Sequence, residues 1–480
     1  MWSGVMTFYF YDLETSGVSP HKQRIIQFAG QRTNKDLEPI GDIDEHFIKL
    51  PEDIIPEPWA VLTHGITPQQ SNQDGLTEAE FLAWFDEHVA TENTIVVGYN
   101  NIRFDNEFMR YMLYRNFYDP YEWQWKDGRS TWDLMDVVRM TRALRPSGIE
   151  WPFTSKGVTT VKLEYITSVN NIEHGDAHKA DADVWATIEV AKLIKNAQPK
   201  LFDYLLGMRD KKSVAKLVSD GAPFVYTSGR YSGEFERTTI ACSLGDHPEQ
   251  AGSVLVYNLR EDPKTLESLS AQQLSERIFV KKDSGIPRLP VKKMALNKSP
   301  AVAPLGVLDK DSWQRLGLDK GVIEANLKAL RSTDLALRLK EAFSIKHKQS
   351  QAVFLSEPST VDAQLYEGFF NDRDKLSMAK VRSADANNLA DLSLDFNDTR
   401  LGSLLPLYKA RNFPRSLNPE EAQQWHSYLQ SKFYQGSTPA IEQFSTQLQK
   451  AAEAVASDSK KMALLEDLKL YVESILPEPD

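Results

Sequence analysis

The segment Thr7-Phe-Tyr-Phe-Tyr-Asp-Leu-Glu-Thr15 constrains the fold more than any other stretch of the chain. Its aromatic residues predict a strand over Thr7 to Leu13. Residues two apart on a strand share a face, so Asp12 and Glu14 project together from its end. Two carboxylates side by side repel each other unless a cation neutralises them. On this segment alone, an acidic tip facing solvent fits the pattern equally well.

The surrounding sequence alternates strands and helices. Ile25 to Gln31 is a second strand, expected to pair with the first. A helix over Glu78 to Val89 precedes the apolar strand Thr94 to Gly98. Further helices follow over Arg103 to Arg115 and Ala180 to Lys195. This alternation predicts an α/β domain with a mixed sheet flanked by helices over 1–198, and Pro199 marks its end. Between 199 and 350, short runs such as Pro223-Phe-Val-Tyr-Thr, Ser253-Val-Leu-Val-Tyr and Arg277-Ile-Phe-Val-Lys lie among Gly and Pro. They predict a small β-rich domain. From 351 to 480 the pattern is helical, clearest over Lys460 to Leu476, which predicts an all-α C-terminal domain. Three domains suit 480 residues at about 150 per domain.

Composition narrows the setting. The single cysteine, Cys242, excludes an intramolecular disulfide and a cysteine-based zinc cluster, and fits a reducing compartment. The first residues lack a basic region, Asp12 comes early for a signal peptide, and no run of 18 apolar residues exists. A soluble, cytoplasmic protein with no membrane partner is therefore expected. With 56 basic and 67 acidic residues the net charge is −11, which argues against a surface that is basic all over. A phosphate-binding groove needs only local positive charge, so nucleic acid stays open as a partner.

Two further acids stand out. Asp105 opens a helix whose apolar stripe continues through Phe108, Met109 and Met112, and Asp183 opens one that continues through Thr187, Val190 and Ile194. Acids seldom enter a core face without a partner or a metal. Either one alone fits a capping role at a helix start. With Asp12 and Glu14 they make four acids in one domain, and a metal site accounts for all of them. His178 lies five residues before Asp183, roughly 140° away on a helix, which places it before the helix or at its first turn. A surface histidine would look the same. His174 and His178 also spell H-x-x-x-H, but Gly175 interrupts the helix and no Glu follows His174, so a zinc pair is not expected there.

In order, D-x-E-T, N-x-x-F-D and H-x-A-x-x-D resemble the DEDD-type 3′–5′ exonucleases with a catalytic histidine, of the RNase T and proofreading exonuclease superfamily. Here the matching residues are Asp12, Glu14, Asp105, His178 and Asp183. Thr63-His-Gly-Ile-Thr-Pro68 resembles that family's Gly-Ile segment, which implies that Thr63, Gly65 and Ile66 lie against the 3′-terminal nucleotide. Tyr114-Arg-Asn-Phe-Tyr-Asp-Pro-Tyr, Leu144-Arg-Pro, Leu201-Phe-Asp-Tyr-Leu, Asp362-Ala-Gln-Leu-Tyr-Glu-Gly-Phe-Phe and Ala410-Arg-Asn-Phe-Pro are similar to the bacterial exodeoxyribonuclease I family, over essentially the whole chain. That resemblance implies a ribonuclease H-like nuclease domain, an SH3-like domain and a helical C-terminal domain. It also implies strand contacts at Arg110, Tyr121, Trp125, Arg139 and Lys162, alongside Glu14 and His178. Arg145 and Tyr204 match positions that bind the acidic C-terminal tail of single-strand DNA-binding protein. Where the family carries Arg, this chain has Lys162, which keeps the charge and loses bidentate phosphate geometry.

Phosphodiester hydrolysis needs a nucleophilic water, a stabilised pentacovalent centre and a leaving 3′ oxygen, which two divalent ions about 4 Å apart can serve. Mg²⁺ prefers oxygen ligands, with Mn²⁺ as a substitute. Asp12 is assigned as the bridging ligand, Asp183 to the ion that activates water, and Glu14 and Asp105 as further ligands. His178 is assigned to take the proton from that water. Residues 277–298 hold Arg277, Lys281, Lys282, Arg288, Lys292, Lys293 and Lys298 against Asp283. Residues 114–125 hold six aromatics. Basic grooves with aromatic platforms hold single strands, although a solvated face and a core would have the same compositions. The expectation is a monomeric exonuclease that degrades single-stranded DNA to 5′-mononucleotides in DNA repair and recombination. An RNA-trimming relative and a non-catalytic strand-binding protein are the rivals.

Overall fold

The computed structural model describes residues 6–175, 179–219, 221–280, 284–356, 360–389, 392 and 394–478. Among them the chain forms two compact units. The first joins Met1–Ser130, His174–Trp185 and Ser359–Asp480; the second joins Thr131–Glu173 and Ala186–Pro358.

In the first unit, β1 (Thr7–Thr15) pairs antiparallel with β2 (Ile25–Thr33), which pairs antiparallel with β3 (Asp44–Phe47). On its other side β1 runs parallel to β4 (Thr94–Gly98), so the sheet is mixed as expected. Both faces of β1 are covered up to Tyr11, and only then does the strand begin to open at Asp12 and Glu14. Tyr9, Tyr11 and Leu13 pack with Phe28, Phe81, Phe85, Phe108 and Met112. Three helices precede β4: α1 (Pro58–His64), α2 (Pro68–Asp74) and α3 (Glu78–His88). A capping box of Thr77 and Glu80 starts α3. After β4 comes α4 (Asp105–Arg115).

Helices of the C-terminal segment complete this unit. Tyr111, Tyr114 and Phe117 share a core with Leu365, Phe370, Leu404 and Tyr408. A second core joins Ile26, Leu50, Val61 and Ile66 to Phe444, Leu468, Tyr471 and Val472. A buried ionic network crosses the same junction. Arg411 Nη2 lies 2.7 Å from Asp53 and 2.6 Å from Asp362, Arg24 reaches Asp362 at 3.2 Å, and Arg115 reaches Glu78 at 3.1 Å. Lys432 Nζ adds a contact of 2.5 Å to Asp53.

β5 (Ser130–Asp133) straddles the boundary of the two units. It leads to α5 (Leu134–Leu144) and α6 (Leu163–Val169) of the second unit, and then to α7 (Ala180–Ala197), which contributes to both. The second unit also holds an antiparallel sheet in the order β10-β6-β7-β8-β9: β6 is Phe224–Thr227, β7 Thr238–Asp246, β8 Ser253–Asn258, β9 Val291–Ala295 and β10 Ala301–Pro304. Helices between Lys310 and Ser356 cover one face, with Leu330, Leu335 and Leu339 packed on Leu255 and Tyr257.

One expected strand is absent over its described residues. Arg277 to Val280 forms turns behind the short helix Ala271–Ser275, with the Arg277 and Ile278 amides donating to the carbonyls of Leu274 and Ser275. Burying Ile278 in the core between the sheet and its covering helices overrides its β propensity. Among the described residues no helix is long and apolar enough to cross a membrane.

Candidate functional site

The open end of β1 carries the site. Asp12 stands opposite Ala29 and Glu14 opposite Gln27, and the pairing shifts between Glu14 and Thr15, where the strand leaves the ladder. The parallel neighbour β4 ends at Gly98 beside this point. A Cβ on Gly98 would lie 2.6 Å from the Cβ of Asn101 and 3.2 Å from the Tyr11 carbonyl, so glycine permits the tight exit. The chain then turns through Asn101–Arg103 into α4, whose first residue is Asp105, only 4% exposed. Asp183 lies in the first turn of α7. Both acids therefore sit where helix N–H groups point outward and favour negative charge.

Asp12, Glu14 and Asp183 come together. Each offers a carboxylate oxygen, and the three lie within 4.8 Å of one another. Asp105 stands outside that trio, yet close enough for its charge to act on both β1 acids. Burial pushes the Asp12 carboxyl well above the carboxylate range, and the charges of Asp105, Glu14 and Asp183 push it further. Glu14 is pushed up to about 8, by burial first and then by Asp183 and Asp105. An all-oxygen donor set of crowded, proton-hungry carboxylates fits a hard divalent cation.

His178 lies outside the described residues, as do Lys281 and Lys282 of the basic run. His174, considered in the sequence only for a zinc pair, is at the site. Its Nε2 lies 2.7 Å from Asp183 Oδ1, with 8% of the side chain exposed. No spacing rule announces this contact, because His174 reaches it from a loop.

The remaining expected contacts fall in both units. In the first, Thr63 is exposed, Gly65 closes α1 in the left-handed region (φ 75°), and the buried Ile66 donates its amide to His64 Nδ1 at 3.0 Å. Arg110 is held by Glu107 at 2.6 Å and Gln124 at 2.5 Å beneath the Tyr121 ring, while Trp125 is 62% exposed. In the second unit, Arg139 pairs with Asp136 at 2.5 Å. Lys162 lies on the loop that starts α6. Arg145 donates to the Val307 carbonyl at 2.7 Å and lies 3.4 Å from Asp309. The Tyr204 hydroxyl is buried with no hydrogen-bond partner among the described residues, and burial pushes it up to about 12.

Known proteins match throughout. Family models described as Exonuclease, Exonuclease I SH3-like domain and Exonuclease I C-terminal domain match residues 9–191, 209–345 and 359–475. The exodeoxyribonuclease I of Haemophilus influenzae is 39% identical over 472 residues, covering 97% of this chain and 98% of that protein. The crystal structure of E. coli exonuclease I in complex with a dA16 oligonucleotide superposes with a TM-score of 0.91 at 39% identity, over 98% of this chain and 100% of that one. A crystal structure described as SSB/Exonuclease I with the inhibitor CFAM gives a TM-score of 0.89 at 37% identity, over 98% and 100%.

Proposed function

Because the chain belongs to the exodeoxyribonuclease I family and is an exonuclease, we propose that it degrades single-stranded DNA from the 3′ end to 5′-mononucleotides with Mg²⁺. The observation that carries this reading is the trio of Asp12, Glu14 and Asp183 within 4.8 Å. These residues would hold the divalent ions, with Asp105 adding charge from α4. When bound, the ions supply Lewis-acid charge to the phosphoryl oxygens and lower the pKa of water.

The chain's own groups do the rest. Gly65 and Ile66 present backbone to the terminal nucleotide, and Arg110, Tyr121 and Trp125 offer a cation and ring faces to the strand. Arg139 and Lys162 neutralise phosphates. His178 takes the proton from the attacking water; the new bond forms at phosphorus, the P–O3′ bond breaks, and the departing O3′ takes a proton from solvent to become the 3′ hydroxyl of the shortened strand. The domains proposed are 1–198, 199–350 and 351–480. The proposed partner is the acidic tail of single-strand DNA-binding protein at Arg145 and Tyr204, supported by the SSB/Exonuclease I structure. A cytoplasmic monomer acting in DNA repair suits this role, with Mn²⁺ able to replace Mg²⁺.

The test is hydrolysis of end-labelled DNA and RNA strands with and without EDTA. Loss of single nucleotides from the DNA 3′ end, stopped by EDTA and restored by Mg²⁺, is expected. Preferential trimming of RNA, or no metal-dependent cleavage, would overturn the reading.

A further inference from the structure

In the second unit a cavity of about 270 Å³ is lined by Arg139, Arg142, Thr160, Lys162, Glu236 and Arg237, among others. Its cations are unequally committed. Arg142 belongs to the framework: it meets Glu236 at 3.0 Å, donates to the carbonyls of Pro152 and Thr160, and lies over the Phe153 ring. Arg139 is paired with Asp136, and Lys162 lies 3.3 Å from Glu164. Four cations thus stand against three carboxylates, 4 − 3 = +1. Arg237 holds the excess: among the described residues, no carboxylate lies within ion-pair distance of it.

The loop aims Arg237 deliberately. Its Nη1 donates to the carbonyls of Gly229 at 3.0 Å and Tyr231 at 3.3 Å, which fixes the guanidinium plane, and among the described residues Nη2 has no hydrogen-bond partner. Thr159 and Arg237 both line the cavity, so a hydroxyl stands beside the guanidinium there. Glu236 and Arg237 both take the left-handed region, with φ of 49° and 53°. Two consecutive non-glycine residues persist there only where the surroundings over-determine them, a feature concentrated at ligand clamps.

We propose that Arg237 adds a further phosphate contact to the strand contacts already assigned to Arg139 and Lys162 in this cavity, donating to a backbone phosphate of the bound strand. The inference rests on the single-stranded DNA reading above. Lys162, on the same wall, offers a point charge. Arg237 offers a planar fork whose orientation is already set, the better match to a phosphate.

The test is the affinity of a 5′-labelled oligothymidylate, read by fluorescence anisotropy in EDTA across a salt series, for wild type, Arg237→Ala, Arg237→Lys and Arg237→Ala with Lys162→Arg. Arg237→Ala is expected to bind about ten-fold more weakly, as for one charge-assisted hydrogen bond. Its slope of log affinity against log salt should flatten by about 0.7, the value of one phosphate on a single strand. Arg237→Lys should keep the slope and lose part of the affinity, and Lys162→Arg should recover much of the loss in the Ala background. Unchanged affinity and slope in Arg237→Ala would overturn the inference, as would equal losses in Ala and Lys with wild-type slopes, the mark of a merely structural residue. If wild type cleaves DNA while Arg237→Ala binds normally, this inference alone fails. If wild type does not bind the strand, the functional reading fails with it.

Discussion

A single oxygen decides much at this site. Asp12→Ala or Asp183→Ala removes one member of a trio held within 4.8 Å, so hydrolysis should be lost while strand binding survives. Cleavage assays paired with anisotropy check both halves, and near-normal turnover in either variant would remove these residues from the reaction. His174 acts one bond further out. Through its 2.7 Å contact it orients Asp183, and such supporting bonds are typically worth 10–100-fold in metal affinity. His174→Ala should therefore weaken divalent binding by about that factor, measured by titration calorimetry, with turnover recovering at saturating Mg²⁺. His174→Gln, which keeps an N–H at similar reach, should restore part of the affinity. Turnover that stays low at saturating metal, with unchanged affinity, would argue against a positioning role. Asp12, Glu14 and Asp183 were legible because strand and helix periodicity fix where such side chains point. His174 was not, since its reach depends on how a loop folds back on α7.

At the scale of elements, the sequence was most readable where pattern and packing agree. β1, β2, β4, α4 and α7 lie within a few residues of their expected spans, because alternating or 3.6-spaced apolar residues match the faces they bury. The run at Arg277 misled because a short apolar segment serves a turn packed on a helix as well as a strand. The β1–β2 pair also carries a close fit that no propensity reveals. A Cβ on Gly30 would fall 2.4 Å from the Tyr9 ring, which is itself fixed by a 2.7 Å bond from its hydroxyl to Asp44. The ring cannot retreat, so Gly30→Ala should destabilise by about 1–3 kcal/mol through overpacking. Denaturant unfolding measures this, and a loss below about 0.5 kcal/mol would show that the sheet yields there.

For the whole molecule, the least legible feature is the pairing of distant segments. Nothing in Ile26 or Val61 announces Leu468 and Tyr471 as neighbours, and Arg411 finds Asp53 across 358 residues. Such contacts are set by tertiary packing, which local pattern does not encode. They also give the protein two opposed responses to pH. Arg411, then Lys432, hold Asp53 well below the carboxylate range; Arg411 and Arg24 do the same for Asp362, and Arg115 and Arg24 lower Glu78, each against the cost of burial. Carboxyls lowered by folding stabilise above their unfolded range, and that stability is lost as pH falls through their folded values. Asp12 and Glu14 act in reverse. Raised by folding, they bind protons in the native state, so their contribution is present at low pH and lost as pH rises toward about 8 for Glu14. The metal-free protein should therefore melt at lower temperature on both the acid and the alkaline side. Mg²⁺ should remove only the alkaline loss, because it displaces the protons that Asp12 and Glu14 hold and binds more tightly as they leave. Asp362→Asn should cost about 3–5 kcal/mol near neutrality by leaving Arg24 and Arg411 short of a buried partner, and should flatten the acid limb alone. Calorimetric melting across pH, in EDTA and in Mg²⁺, resolves the two limbs. An alkaline limb indifferent to Mg²⁺ would detach Asp12 and Glu14 from metal binding, and an acid limb unmoved in Asp362→Asn would mean that other carboxylates govern acid unfolding.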